Sequence, residues 1–384
     1  MFSVGVENAF NFLSQDYAEL FGRSCATPFQ HPLWLDRLYA ALVPSAGVEP
    51  LVVVVRHRSD GRLAMVLPLV RQRHGIMRVI EFADLRVSDY ASPVCTEATF
   101  ALILRDAAAC DQIRNALKPF DLLRIKKLKD GSLPIERLLD APARSSMAMS
   151  AHATVLRAPF SQWRADNLNA SYCKELDKKS RQLHRKGEVR FECTDDPELI
   201  RSTFHSMRDY RRPRFQERGD GDLLQKFDYF DFYLDIAVRG KGVLSRTYTM
   251  FMDGRPIAGV MGLAHNGEFL VILGGFDHAG YKSQSIGALM FQAVARDCVE
   301  RGDTVLDFTI GDEAYKRLFG ARPSRMWMVS RAGSAMGSLA GFVVEQVPWV
   351  KSMARRLVDK KAQTSSASPR AGASSAEAPS VNRG

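Results

Sequence analysis

Apolar residues recur at two different periods along the chain. Residues 31–42 carry Leu35, Leu38, Tyr39 and Leu42 at the spacing of a helix with one buried face. Residues 50–56, 62–69 and 77–82 are instead short β-branched runs, separated by the breaks RSDG and RQRHG, a pattern that predicts an antiparallel meander. A helical stretch is expected over 100–117 and an alternating strand over 122–128. The second half repeats this logic at greater length. A long helix is expected over 161–186, ended by Gly187, then a strand over 189–193. Helices follow over 196–211, with Asp195 or Asp196 as cap and Pro197 at the first position, and over 226–239. Three strands, 243–252, 256–263 and 268–276, are joined by the turns DGRP and HNG. A Gly/Ser-rich loop, DHAGYKSQSIG, opens a helix over 288–301. A strand over 304–310, a short helix over 313–319 and a strand over 325–330 complete the pattern, and 335–361 reads as helical but interrupted by Pro348. Strands and helices mixed in this way predict an α/β (α+β mixed-sheet) fold.

Composition narrows the class. The 384 residues are 46% apolar and 25% charged, an ordinary globular mixture. Small residues dominate two segments. Residues 362–384 cannot bury enough surface to fold and read as a disordered tail, and 141–153 read as a linker. The expected division is therefore a first domain at 1–140, the linker, a second domain at 154–332, a basic amphipathic region at 333–361 and the tail. No apolar run approaches the ~20 residues of a membrane-spanning helix. The N-terminus lacks the basic-then-apolar pattern of a secretory signal. Six cysteines without a CxxC pair read as reduced thiols of a cytoplasmic protein, and no metal site is expected.

Several familiar chemistries have no support. GxxxxGK[ST], GxGxxG, HExxH and GxSxG are all missing. His31 and Asp36 have an H-x4-D spacing, but on a helix they point ~140° apart. The informative block is 268–319. There the strand EFLVILGGF ends in two glycines and a loop opens a helix, where backbone N–H groups suit a pyrophosphate, with Ser283, Gln284 and Ser285 as added donors. Asp307 falls inside an apolar strand, where an unpaired carboxylate is costly, so it is either a structural partner or a site residue. Tyr315 sits on the following short helix.

The order of three strands, glycine-rich loop, helix, strand and Tyr-bearing helix resembles the GNAT (Gcn5-related N-acetyltransferase) fold. The segments PFQHPLWLDRLYAAL, RLAMVLPLV, EFADLRVSDYASPV, GRPIAGVMGL, GGFDHAGYKSQSIGALM and LDFTIGDEAYKRLFGA resemble the bacterial acetyltransferase family associated with cellulose and exopolysaccharide biosynthesis (the CelD type). Members of that family resemble a tandem GNAT pair, as do the FemAB aminoacyl transferases. The resemblance implies tandem GNAT-like domains and acetyl-CoA or another acyl-CoA as co-substrate. It places the pyrophosphate on backbone amides at 280–287, with Gly275, Phe276, Asp277, Gly280, Tyr281, Lys282, Ser283, Gln284, Ser285 and Gly287 as the donor-binding residues. Gln284 and Gly287 keep the family's loop pattern, whereas Leu289 stands where a small residue is usual. Tyr315 matches the tyrosine that protonates the departing thiolate. The base is left open among Asp307, Glu313 and a water chain. Asp89, Tyr90, Gly311, Asp312 and Lys316 are the candidate acceptor contacts. Attack is direct, so no covalent nucleophile is required. A splay between 268–276 and 304–310 is expected where the pantetheine arm lies.

Charge adds a question about partners. There are 53 Lys and Arg against 43 Asp and Glu, a net +10. Residues 172–190 are dense in Lys and Arg and read as a solvated face or as a patch for a CoA 3′-phosphate, a nucleotide-sugar or tRNA. With only Tyr172 for stacking, nucleic acid is disfavoured. A second basic cluster, 208–214, falls at the expected end of a helix. Residues 337–361 mix Phe342, Val347, Val350 and Leu357 with Lys351, Arg355 and Arg356, a pattern for a helix docked on the domain or lying on the inner face of a membrane. The function expected is acyl-CoA-dependent N- or O-acyl transfer, in particular acetyl transfer, to an amine or hydroxyl, on a sugar-related acceptor in cellulose or exopolysaccharide biosynthesis. The alternatives are FemAB-like aminoacyl transfer from charged tRNA and a non-catalytic polysaccharide-assembly component.

Overall fold

The computed structural model describes residues 1–218 and 221–339. The basic region beyond 339 and the tail lie outside the described residues. Twelve strands form one sheet in the order β1-β2-β3-β4-β5-β12-β6-β11-β10-β9-β8-β7. They are β1 (Phe2–Val6), β2 (Glu49–His57), β3 (Leu63–His74), β4 (Met77–Phe82), β5 (Leu122–Lys129), β6 (Ser145–Val155), β7 (Val189–Thr194), β8 (Ser245–Met252), β9 (Arg255–His265), β10 (Glu268–Phe276), β11 (Val305–Ile310) and β12 (Arg322–Ala332).

The order contains a repeat. In each half four antiparallel strands lead to a fifth that runs parallel to the fourth: β4 with β5, and β10 with β11. A parallel neighbour needs a crossover, and helices supply it. Glu97–Arg105 and Ala107–Ala116 cross in the first half, and Ile286–Glu300 crosses in the second. The sixth strand of each half is exchanged: β6 pairs with β11, and β12 pairs with β5 as well as with β6. The mixed α/β sheet is thus a tandem GNAT-like arrangement.

Several expectations need correction. Most of the expected linker, 141–153, belongs to β6 (Ser145–Val155), because the small side chains of SSMAMSAHATV fit a position flanked by strands on both edges. The helix expected over 161–186 is two, Phe160–Asn167 and Ala170–His184, since Asn169 caps the second and breaks the first. The stretch 100–117 is likewise cut at Asp106, whose carboxylate accepts the N–H of Ala109. Helix Pro197–Arg218 runs past the expected end at 211, with Pro213 inside it. His31 is a helix cap, its Nδ1 accepting from the N–H of Leu33.

The two halves share a core. Trp34 of the first half packs edge-on against Phe232 of helix Phe227–Arg239, ring centres 5.0 Å apart, in a cluster that also holds Met207, Met261 and Leu270. Separate clusters lie under the first-half crossover helices and under helix Ile286–Glu300. In the first half, where β4 leaves β5, the chain itself fills the gap. Ala91 donates to the carbonyl of Lys127 on β5, and Val94 bridges to Val66 on β3.

Candidate active site

In the second half the corresponding gap is open. β10 and β11 pair at three positions only, Glu268 with Val305, Phe269 with Leu306 and Leu270 with Asp307. Beyond them a cleft of about 560 Å³ lies between Val271–Gly274 on one side and Phe308–Ile310 on the other. This is the splay expected from the sequence. Strand edges in such a gap expose N–H and C=O groups that need partners, so an extended polar chain fits there.

At one mouth of the cleft stands the glycine-rich loop. Phe276, Lys282, Ser285 and Gly287 line the opening. Ser285 is in the left-handed region (φ 52°), and its side chain does not cap helix Ile286–Glu300. The Ala288 N–H donates to the Ser285 carbonyl at 2.9 Å, and the N–H groups of Ile286 and Gly287 ahead of it lie at the positive end of the helix, a place for an anion. Lys179, from the basic helix Ala170–His184, donates to the carbonyl of Ser283, and the Lys186 ammonium lies 5.1 Å from the ring of Tyr281. Asp277 caps the turn His278–Tyr281 by accepting the N–H of Gly280 at 2.9 Å. Gln284 is buried, and its carboxamide oxygen has no hydrogen-bond partner among the described residues, which is costly unless another group donates to it. Gly275 does not line the cleft. A Cβ there would come within 2.5 Å of the Met207 Cα, so glycine lets helix Pro197–Arg218 pack on β10.

At the inner end, Tyr315 lines the cleft with its ring stacked on Phe291, 5.1 Å away and parallel, and edge-on to Phe308. Lys316, 2% exposed, donates to the carbonyls of Thr309, Ile310 and Gly311 at 3.0–3.2 Å and pairs with Glu313 at 3.0 Å. It ties the strand end to helix Ala314–Leu318. Gly311 has φ 129°, and a Cβ there would strike the Glu313 carboxylate. Asp312 turns away toward His152 Nε2, 2.9 Å distant.

Two carboxylates trade places relative to the sequence-based expectation. Asp307 is not among the residues that line the cleft. It accepts the Tyr90 hydroxyl at 2.8 and 2.9 Å and the Thr309 N–H at 2.7 Å. Asp89, from the first half, does line the cleft. Burial pushes its carboxyl above the ordinary range, against the pull of Lys127, the Thr309 hydroxyl and Lys316. Tyr90 instead faces a smaller cavity of about 250 Å³ beside Lys129 and Glu268. Arg211 was legible only as part of a basic cluster. It lines the cleft, donates to the Gly274 carbonyl at 2.9 Å and is held by Asp222 at 2.8–3.2 Å. No pattern in the sequence marks it, because the contact depends on how its helix crosses β10. Among the described residues no group of His, Cys, Asp and Glu is placed to hold a metal ion.

Comparison with known proteins agrees with this geometry. Residues 170–317 match the acetyltransferase (GNAT) domain family, from the basic helix to the helix bearing Tyr315. No curated protein matches the sequence. Among solved structures, FemX has a TM-score of 0.58 at 10% identity, covering 84% of this chain and 96% of that one. A conserved protein of unknown function from Bacteroides thetaiotaomicron has a TM-score of 0.55 at 10% identity, with 85% and 99% covered. The C-terminal domain of a putative lysylphosphatidylglycerol synthetase from Agrobacterium fabrum scores 0.54 at 10% identity, with 89% and 97% covered. At such identities the likeness speaks for the fold. The second half of the chain therefore carries a GNAT-type acetyltransferase domain, and the protein is a transferase.

Proposed function

We propose that the protein transfers an acetyl or other acyl group from CoA to an amine or hydroxyl. The observation that carries this reading is the splay between β10 and β11, which opens onto an uncapped helix N-terminus. The pantetheine arm would lie against the strand edges, and the pyrophosphate would lie on the first-turn amides near Lys282. Lys179 and Lys186 flank the loop on the side where further phosphate would be held. At the inner end the acceptor attacks the thioester carbonyl. The new bond to carbon forms as the C–S bond breaks, Tyr315 gives its phenolic proton to the thiolate, and the acceptor's proton passes to Asp89. Asp89 suits this role better than Glu313, which pairs with Lys316, or Asp307, which is turned to Tyr90.

On this reading the donor site belongs to residues 154–332, and the first half, 1–140, shapes the acceptor side through Asp89, with β6 passing between them. The sequence resemblance favours a sugar-related acceptor of cellulose or exopolysaccharide assembly, acylated on the cytoplasmic side of the membrane. Titration of the purified protein with acetyl-CoA tests the proposal. A saturable heat and a raised Tm are expected, and Tyr315→Phe should leave both in place while lowering transfer by roughly 10²–10⁴-fold. Absence of heat and of a Tm shift at concentrations above the usual KM range of about 1 μM–1 mM would remove the reading. A second reading, aminoacyl transfer from charged tRNA, is favoured by the basic helix beside the loop. It would show as tRNA binding that weakens steeply with salt.

A further inference from the structure

The fork of the sheet has a carboxylate at its apex that the mechanism leaves unused. Asp307 is 2% exposed and occupies the last position at which β10 and β11 pair. Its Oδ1 accepts the N–H of Thr309, two residues on, at 2.7 Å, which closes an Asx-type turn. Thr309 sits at φ 56°, in the left-handed region that β-branched residues avoid. The turn breaks the register with β6: Asp307 faces Ala153, but Ile310 faces Ala151, so three steps on β11 match two on β6. That is a bulge, and a bulge bends and twists its strand. β10 has its own irregularity against β9, between Val271 and Leu273. Both distortions lie just beyond the fork, where the strands part. Asp307 is itself held from the first half. The Tyr90 hydroxyl donates to its carboxylate, and the Lys129 ammonium stands 3.8 Å away.

We propose that Asp307 is a positioning residue that holds the cleft open by locking the β11 bulge, with Tyr90 of the first half as its latch. The role rests on the acyl-CoA reading of the cleft, and it needs only an oxygen acceptor at position 307. A proton-transfer role would need an ionisable one. Three variants of the full chain separate these possibilities, each read by acetyl-CoA calorimetry and by amide hydrogen exchange over 308–311. Asp307→Asn keeps an acceptor for Thr309 and Tyr90, so binding and slow exchange should stay near wild type. Asp307→Ala should speed exchange at Thr309 and weaken binding by roughly tenfold in folded protein, the scale of one lost hydrogen bond. Adding Thr309→Gly to that variant should recover binding, measured against Thr309→Gly alone, because glycine takes the left-handed conformation unaided.

Wild-type binding by Asp307→Ala, or no recovery in the double variant, would overturn the proposal. So would a loss of roughly tenfold or more in Asp307→Asn against wild type, and this comparison carries the test if the alanine variant does not fold. If wild type gives no heat with acetyl-CoA but the exchange pattern follows expectation, the acyl-CoA reading falls and the bulge lock stands.

Discussion

At the scale of single residues, Asp89 sets proton transfer against stability. Its carboxyl is buried at the cleft wall between Lys127 and Lys316, with Asp84 nearby, and burial outweighs those cations, so its folded-state pKa is raised. A raised acid pKa means that the folded protein holds the proton more tightly than the unfolded chain does. Stability is then full below the ordinary carboxylate range, near pH 4, and is lost as pH rises through the folded-state value. Asp89→Asn removes the ionisation. We expect a Tm above wild type at neutral pH, a difference that closes as pH approaches 4, and a transfer rate lower by roughly 10²–10⁴-fold. Thermal scans across pH and a transfer assay check both, and undiminished transfer would exclude Asp89 as the base. The sequence signals such residues unevenly. Asp307 stood out because a carboxylate interrupts an apolar strand, yet its partner Tyr90 lies 217 positions away and nothing local connects them.

At the scale of elements, the cleft depends on how helix Pro197–Arg218 seats on β10. Its Arg211 holds the Gly274 carbonyl, so the height of the helix above the strand sets one cleft wall. Gly275→Ala would place a methyl 2.5 Å from the Met207 Cα, a backbone atom that no rotamer change can move aside. The expected cost is about 1–3 kcal/mol of overpacking, measured by denaturant unfolding, together with weaker acetyl-CoA binding as Arg211 lifts. A variant as stable as wild type would show that the helix moves freely. Gly275 also shows where sequence reading stops: a glycine at a strand end suits a ligand or a packed helix equally well. The meander β2–β4 and the run from β8 to β11 were legible because their apolar residues alternate with turn chemistry. β6 was not. Its small residues carry no period, and its place in the sheet comes from its long-range neighbours β11 and β12.

At the scale of the whole molecule, the exchange of β6 and β12 and the shared core argue against two independently stable halves. β12 lies between β5 and β6, so neither half keeps all its strand partners when the other unfolds. Trp34 is fully buried on Phe232 across the junction, while Trp163 is fully buried in the cluster beneath helix Ile286–Glu300. Losing the first half would expose the Phe232 face and leave Asp307 without its Tyr90 donor, a penalty that the second half would have to carry alone. Chains of this size often unfold in stages, but a core and a sheet that cross the boundary couple the stages. We therefore expect the fluorescence of Trp34, isolated in a Trp163→Phe/Trp327→Phe/Trp349→Phe variant, and that of Trp163, isolated in a Trp34→Phe/Trp327→Phe/Trp349→Phe variant, to report a common transition. The comparison is made after each curve is corrected for the stability change of its own substitutions. Midpoints that stayed apart after that correction would mean that the halves fold separately and that the β11 bulge persists without Tyr90. Coincident midpoints make the first half part of the machinery that keeps the cleft open.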